Sequence, residues 1–109
     1  MPKKRTIKFI ATAVRWFDKC NGNTYHSVRI SKVSNGKLIV CPFTYGYGEQ
    51  YRDTALRAME LAKWIPPKYR GQESNGSHRV WGYERNNNYP IIWHVSDGLK
   101  RDCIANGKD

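Results

Sequence analysis

Acidic residues are what this chain has least of. Nine Asp and Glu stand against 19 Lys and Arg, for a formal net charge of +10. The deficit is concentrated: residues 1–33 hold eight bases and one acid (Asp18), residues 34–71 six and three, and residues 72–109 five and five. Like charges gathered on one part of a small domain cost self-repulsion, so the imbalance points to a polyanionic partner. Paired cysteines are missing as well. Cys20, Cys41 and Cys103 are odd in number and far apart, which argues against a disulfide framework and suits a reducing cytoplasm. No apolar run approaches the ~18 residues of a membrane span, and none follows the basic start as a secretion signal requires. No membrane partner is expected.

Metal-binding spacing is also lacking. His26, His78 and His94 stand apart, and neither Cys-x-x-Cys nor His-x-x-x-His occurs. No metal and no cofactor is therefore expected. The carboxylates form no nuclease cluster, so a nuclease here would have to be a metal-independent ribonuclease. That chemistry needs a base and a cation to stabilise a phosphorane, which His26 or Glu49 with Arg29 would supply. His26 shares strand parity with Val28 and Ile30, however, so a half-buried structural histidine is the competing assignment.

Aromatic residues, by contrast, are abundant: four Trp, seven Tyr and three Phe. Each large ring buries ~150–250 Å², enough with the aliphatics for one small domain over 1–109. Residues 1–5, with Pro2-Lys3-Lys4-Arg5, read as a flexible basic tail, and 66–78 as a loop. Alternating Ile7, Phe9, Ala11 and Ala13 predict a first strand within 6–17. Asn21-Gly22 predicts a hairpin into a strand over 24–33, and Asn35-Gly36 a second hairpin into 37–43. Tyr51, Ala55, Ala58, Met59, Ala62 and Ile65 recur at helical spacing over 49–65, and Pro66-Pro67 ends that helix. Residues 79–85, 89–96 and 99–104 read as further strands, with a C-terminal helix as the alternative for the last. The expected class is α+β: a three-stranded antiparallel meander, one helix packed on it, then two or three further antiparallel strands.

If the helix covers the face of Phe9, Val28 and Ile30, the other face presents Lys8, Thr12, Trp16, Tyr25, Ser27 and Arg29. Cations interleaved with aromatics bind phosphates by charge and bases by stacking. The candidate nucleic-acid contacts are Lys8, Trp16, Lys19, Asn21, Tyr25, Arg29 and Lys32. The competing assignment buries Trp16 and Tyr25 as a cross-strand pair under the C-terminal strands. The helix carries three bases and three acids between Glu49 and Ile65, and a charge-neutral helix does not suit a major groove. This order resembles DNA-binding domains that lay a three-stranded sheet in the groove, such as the arm-binding domains of tyrosine recombinases, over about 6–65. A second candidate, for a nucleotide or a host protein, is the loop with Tyr45, Gly46, Tyr47, Gly48 and Tyr51. Free N–H groups at a helix start can hold an anion there, although no Lys-Ser/Thr follows as in a P-loop.

The stretches Asn21-Gly22-Asn23-Thr24-Tyr25-His26 and Tyr45-Gly46-Tyr47-Gly48 resemble small uncharacterised proteins of bacteriophages. The resemblance implies a phage setting in the cytoplasm of a bacterial host. The expected function is non-enzymatic nucleic-acid binding (DNA or RNA) through the N-terminal sheet face. The alternatives are an accessory or anti-defence protein that binds a host protein or a nucleotide, and the small ribonuclease.

Overall fold

The computed structural model describes residues 6–108. The basic start that reads as a tail lies outside the described residues. Strands β1 (Phe9–Asp18), β2 (Asn23–Lys32) and β3 (Leu38–Tyr45) come first, then helix α1 (Gln50–Leu61), a short α2 (Tyr83–Asn86), β4 (Ile91–Asp97) and α3 (Lys100–Asn106). The two Asn-Gly signals make the two hairpins. Gly22 and Gly36 take the left-handed conformation at φ 70° and 72°, which a side chain would resist. β1 and β2 pair antiparallel over their whole length, from Phe9 opposite Lys32 to Asp18 opposite Asn23.

The class is α+β, but the expected all-antiparallel sheet is wrong. The order is β3-β2-β1-β4, and β4 runs parallel to β1 with Phe9 beside Ile91 and Arg15 beside Asp97. The reason lies in α1. The helix carries the chain back across the sheet to the starting end of β1, where Trp64 stacks on Phe9 at 5.8 Å. A strand that leaves from there can only run the way β1 runs, the crossover that parallel pairing requires.

Two of the expected C-terminal strands are helical instead. Residues 79–82 form a 3₁₀ turn that leads into α2. The buried residues there are Val80, Tyr83 and Glu84, while Trp81 is exposed. That is i, i+3, i+4 spacing rather than alternation. Residues 99–104 enter α3, the alternative weighed for them. Its first turn is closed by Asp102, whose carboxylate accepts the Leu99 N–H at 3.2 Å. The 66–78 stretch holds one 3₁₀ turn at Pro67–Tyr69 and an isolated bridge between Gln72 and His78. α1 also ends at Leu61, short of the expected Ile65. Lys63 turns left-handed at φ 62°, and the Trp64 N–H bonds the Met59 carbonyl at 2.9 Å, a Schellman-like ending.

One face of the sheet packs Phe9, Ala11, Ala13, Val28 and Ile30 against Tyr51, Ala55, Leu56 and Met59 of α1, all buried. The other face is partly closed by the C-terminal end of α3. Ser27, fully buried, donates its hydroxyl to the Cys103 carbonyl. The Asn106 amide donates to the carbonyls of Thr12 and Ser27 at 3.1 and 3.2 Å. Arg29 places its guanidinium on the carbonyls of Asn106 and Lys108, where the free carbonyls and the helix dipole favour a cation.

The docking is close because β3 makes room for it. From His26 opposite Thr44 to Val28 opposite Cys41, two steps on β2 meet three on β3. The extra residue falls at Pro42-Phe43, a bulge in an edge strand that lacks an N–H donor at Pro42. Gly107 rests on it. A Cβ there would lie 2.8 Å from the Phe43 nitrogen and 3.0 Å from the Pro42 Cα and the Ser27 Cβ alike.

Burial raises the Cys41 thiol to about 11 and also pushes the Cys103 thiol up, whereas Cys20 is exposed. A disulfide reagent at mildly alkaline pH should therefore titrate one thiol rapidly in the native protein and all three after unfolding. Gly107→Ala should make Cys103 react quickly too. An unchanged slow Cys103 in that variant would show that the Gly107 contact does not hold α3 down.

Candidate nucleic-acid interface

The structure divides the residues singled out in the sequence between the two ends of the sheet. Trp16 and Tyr25 face each other across β1 and β2, with ring centres 5.5 Å apart. Because the bulge turns Phe43 to the same face as Tyr25, its ring stacks on Tyr25 at 4.9 Å and 8° between planes. Tyr45 meets Tyr25 edge-on at 5.7 Å. Four rings thus form a ladder across the far ends of β1, β2 and β3. Trp16, Tyr25 and Phe43 are half-buried and Tyr45 is 56% exposed. The sheet face is neither wholly bare nor wholly covered, since α3 closes its centre and leaves the ladder at the rim.

Cations gather around it. Lys100, at the start of α3, sets its ammonium 5.4 Å from the Trp16 ring centre. Lys19 is exposed in the hairpin turn beyond β1. Asn21 shapes that turn, because its amide donates to Asp18 at 2.8 Å. That bond, with the Cys20 and Asn21 backbone N–H groups, holds the Asp18 carboxyl below its ordinary range against a smaller opposing effect of desolvation. Beside the ladder lies an open cleft of about 690 Å³. Its charges balance: Arg15 and Lys19 face Asp97 and Asp102, and Arg15 is bound to Asp97 at 2.9 Å and to the Gly48 carbonyl at 3.2 Å.

The other candidates lie elsewhere. Arg29 caps α3, so its charge serves the fold. Lys8 is exposed at the opposite end of β1, and Lys32 lies on the α1 face, 5.5 Å over the Trp64 ring. Lys32 is seven residues along β2 from Tyr25 and Lys8 eight along the chain from Trp16, so at ~3.3 Å per residue those two stand roughly 25 Å from the ladder.

The Tyr45–Tyr51 loop is built around His26. That ring is buried, with Nδ1 3.0 Å from the Gly46 carbonyl and Nε2 2.7 Å from the Thr54 hydroxyl. A carbonyl only accepts, so Nδ1 donates to it, and in the neutral ring Nε2 accepts from the hydroxyl. Both nitrogens are engaged and face α1, while Arg29 bonds α3 on the opposite face. The structure does not bring His26 and Arg29 together as a base and cation pair. Tyr51 is buried in the core, edge-on to Trp93 at 5.6 Å, and only Tyr47, 67% exposed, stands outward with Tyr45. Glu49 and Asp53 line the shallow groove beside them and outnumber its one cation, Arg52, which opposes an anion there.

Phe43 and Lys100 escaped the sequence reading. Strand parity alone puts Phe43 on the same face as Cys41, and nothing short of the bulge reverses it. Lys100 was hidden by the strand assignment for 99–104. Among the described residues, no cluster of three or more His, Cys, Asp or Glu is placed to hold a metal ion, and no helix is long and apolar enough to cross a membrane. Compared with protein-family models, curated proteins and solved structures, the chain matches none of them.

Gly46 is the fixed point of the loop. A Cβ there would lie 2.6 Å from His26 Cε1 and 2.9 Å from Gln50 Oε1, whereas one at Gly48 (φ 64°) meets nothing within 4 Å. Gly46→Ala should destabilise by ~2–3 kcal/mol and Gly48→Ala by only ~1 kcal/mol of backbone strain, read from urea unfolding. Equal losses would mean that His26 does not pin the loop.

Proposed function

We propose that the chain is a non-enzymatic nucleic-acid-binding module of the small bacteriophage type that its Asn21–His26 stretch resembles, at work in the host cytoplasm. The observation that carries this reading is the ladder of Trp16, Tyr25, Phe43 and Tyr45, flanked by Lys19 and Lys100 on a chain of net charge +10. Every base has a π-face, so a row of rings beside ammonium groups takes successive bases without reading their edges. A single strand suits the geometry better than a duplex, whose bases are already stacked on one another. The long-range field raises the rate of encounter, and the rings hold what it collects.

The same exposed rings favour a second reading, a host protein docked on Tyr45 and Tyr47, because aromatic residues are enriched at the centres of protein interfaces. Salt separates the two. Each phosphate contact to a single strand contributes ~0.7 to the slope of log affinity against log salt.

A labelled single-stranded oligonucleotide should bind with an affinity that falls steeply between about 50 and about 200 mM salt. Lys19→Glu with Lys100→Glu should flatten the slope by about 1–1.5. Tyr45→Ala should weaken binding about tenfold at fixed salt, equivalent to ~1.4 kcal/mol of lost stacking. Affinity that ignores both salt and Tyr45 would refute the reading, and a salt-insensitive host-protein complex lost in Tyr45→Ala would replace it.

A further inference from the structure

At the other end of the sheet, on the α1 face, lies a slot of about 370 Å³. Ile7, Phe9, Val33, Trp64, Pro66 and Tyr83 wall it, and Lys8, Lys32 and Ser34 stand at its edge. No acidic side chain is among the described residues that form it. Its volume lies at the small end of the range for ligand sites, mostly apolar with a few convergent polar groups. A long acyl chain does not fit that space, whereas one flat ring system with a sugar does.

The walls are fixed before any ligand arrives. Trp64 is stacked on Phe9 with 10° between ring planes, and its backbone N–H bonds the Met59 carbonyl at 2.9 Å. The two lysines sit on strands locked to their neighbours. The Val33 N–H bonds the Lys8 carbonyl at 3.0 Å, the Lys8 N–H bonds Pro90 at 2.8 Å, and the Lys32 N–H bonds Lys37 at 2.8 Å. The Lys32 ammonium rests over the Trp64 ring, 5.5 Å from its centre, and a cation so held keeps its N–H donors available to an anion at the mouth.

We propose that this slot binds a nucleoside monophosphate. The base lies against the apolar wall of Trp64, Pro66 and Ile7, and the phosphate meets Lys8, Lys32 and the Ser34 hydroxyl. The site is separate from the aromatic ladder, on the opposite face and about 25 Å away by strand length, so it does not rest on the reading above. The shared chemistry, a base joined to a terminal phosphate, occurs both in free mononucleotides and at the 5′ end of a strand.

The test is a backbone amide NMR titration of the full chain with AMP, GMP, CMP and UMP, beside inorganic phosphate alone and adenosine alone. The proposal expects at least one mononucleotide to shift the amides of residues 7–9, 32–34 and 64 and to saturate. It expects phosphate and adenosine to bind at least tenfold more weakly. Lys32→Ala and the exposed Lys8→Ala should each weaken the mononucleotide about tenfold, while Tyr45→Ala leaves it unchanged. Trp64→Phe keeps a ring on Phe9, so it should retain a native spectrum with reduced affinity. A 5′-phosphorylated oligonucleotide that displaces AMP, when its 5′-hydroxyl counterpart does not, assigns the slot to strand ends; displacement by neither assigns it to free nucleotides. No saturable shift at these residues, or equal binding of adenosine and AMP, overturns the proposal. Loss of oligonucleotide binding in Tyr45→Ala with AMP binding intact would leave the two sites independent.

Discussion

The docking of the C-terminal end of α3 onto Ser27 and Arg29 is the constraint from which the rest of the molecule's outer surface follows. An isolated sheet of this length would leave one face open. Here the Ser27 hydroxyl, the Asn106 amide and the Arg29 guanidinium together satisfy the backbone carbonyls of a seven-residue helix and the strand beneath it. Buried polar groups that lose their partners cost more than the bonds return, so this seat is specific. It also decides what stays accessible: the centre of the face is closed, and the aromatic ladder is left at the rim with Lys100 carried to it by the same helix.

The bulge at Pro42-Phe43 belongs to the same seat. It gives Gly107 a place to rest, and by reversing the parity of β3 it delivers the third ring to the ladder. One irregularity therefore links how the helix packs to how the rings line up. The recombinase-like arrangement of a three-stranded sheet with a bare outer face is thereby excluded, since both faces of this sheet carry a helix.

Local signals were legible in the sequence and long-range ones were not. The Asn-Gly turns, the alternation along β1 and β2, and the first part of the α1 stripe (Tyr51, Ala55 and Met59) are encoded by near neighbours and read correctly, whereas Ala62 and Ile65 lie beyond the helix end and buried Leu56 was missed. The direction of β4 depends on where α1 leaves the chain, which no local pattern states. Val80, Tyr83 and Glu84 were misread because a seven-residue stretch fits both alternation and a helical turn. Trp16 and Tyr25 were rightly paired, yet the fate of their face hung on α3. The charge imbalance gave a sign but no place: Arg29 is absorbed by a helix end, Arg15 by Asp97, and the lysines divide between two ends and two faces. His26, whose strand parity suggested a structural role, has one, with both ring nitrogens committed to Gly46 and Thr54.

The parallel pairing of β1 with β4 has a bearing on the order of events in folding. Phe9 and Ile91 are neighbours in the sheet although most of the chain separates them, and the Arg15–Asp97 pair spans 82 positions. The meander can form from residues close in sequence, but its first strand keeps an exposed edge until β4 arrives. Closing so long a loop costs entropy before any contact returns it, and topologies rich in such contacts fold slowly. On a ribosome, this central strand would thus be made before the rest of its sheet and completed only after β4, its outer edge open to any other extended chain throughout the interval.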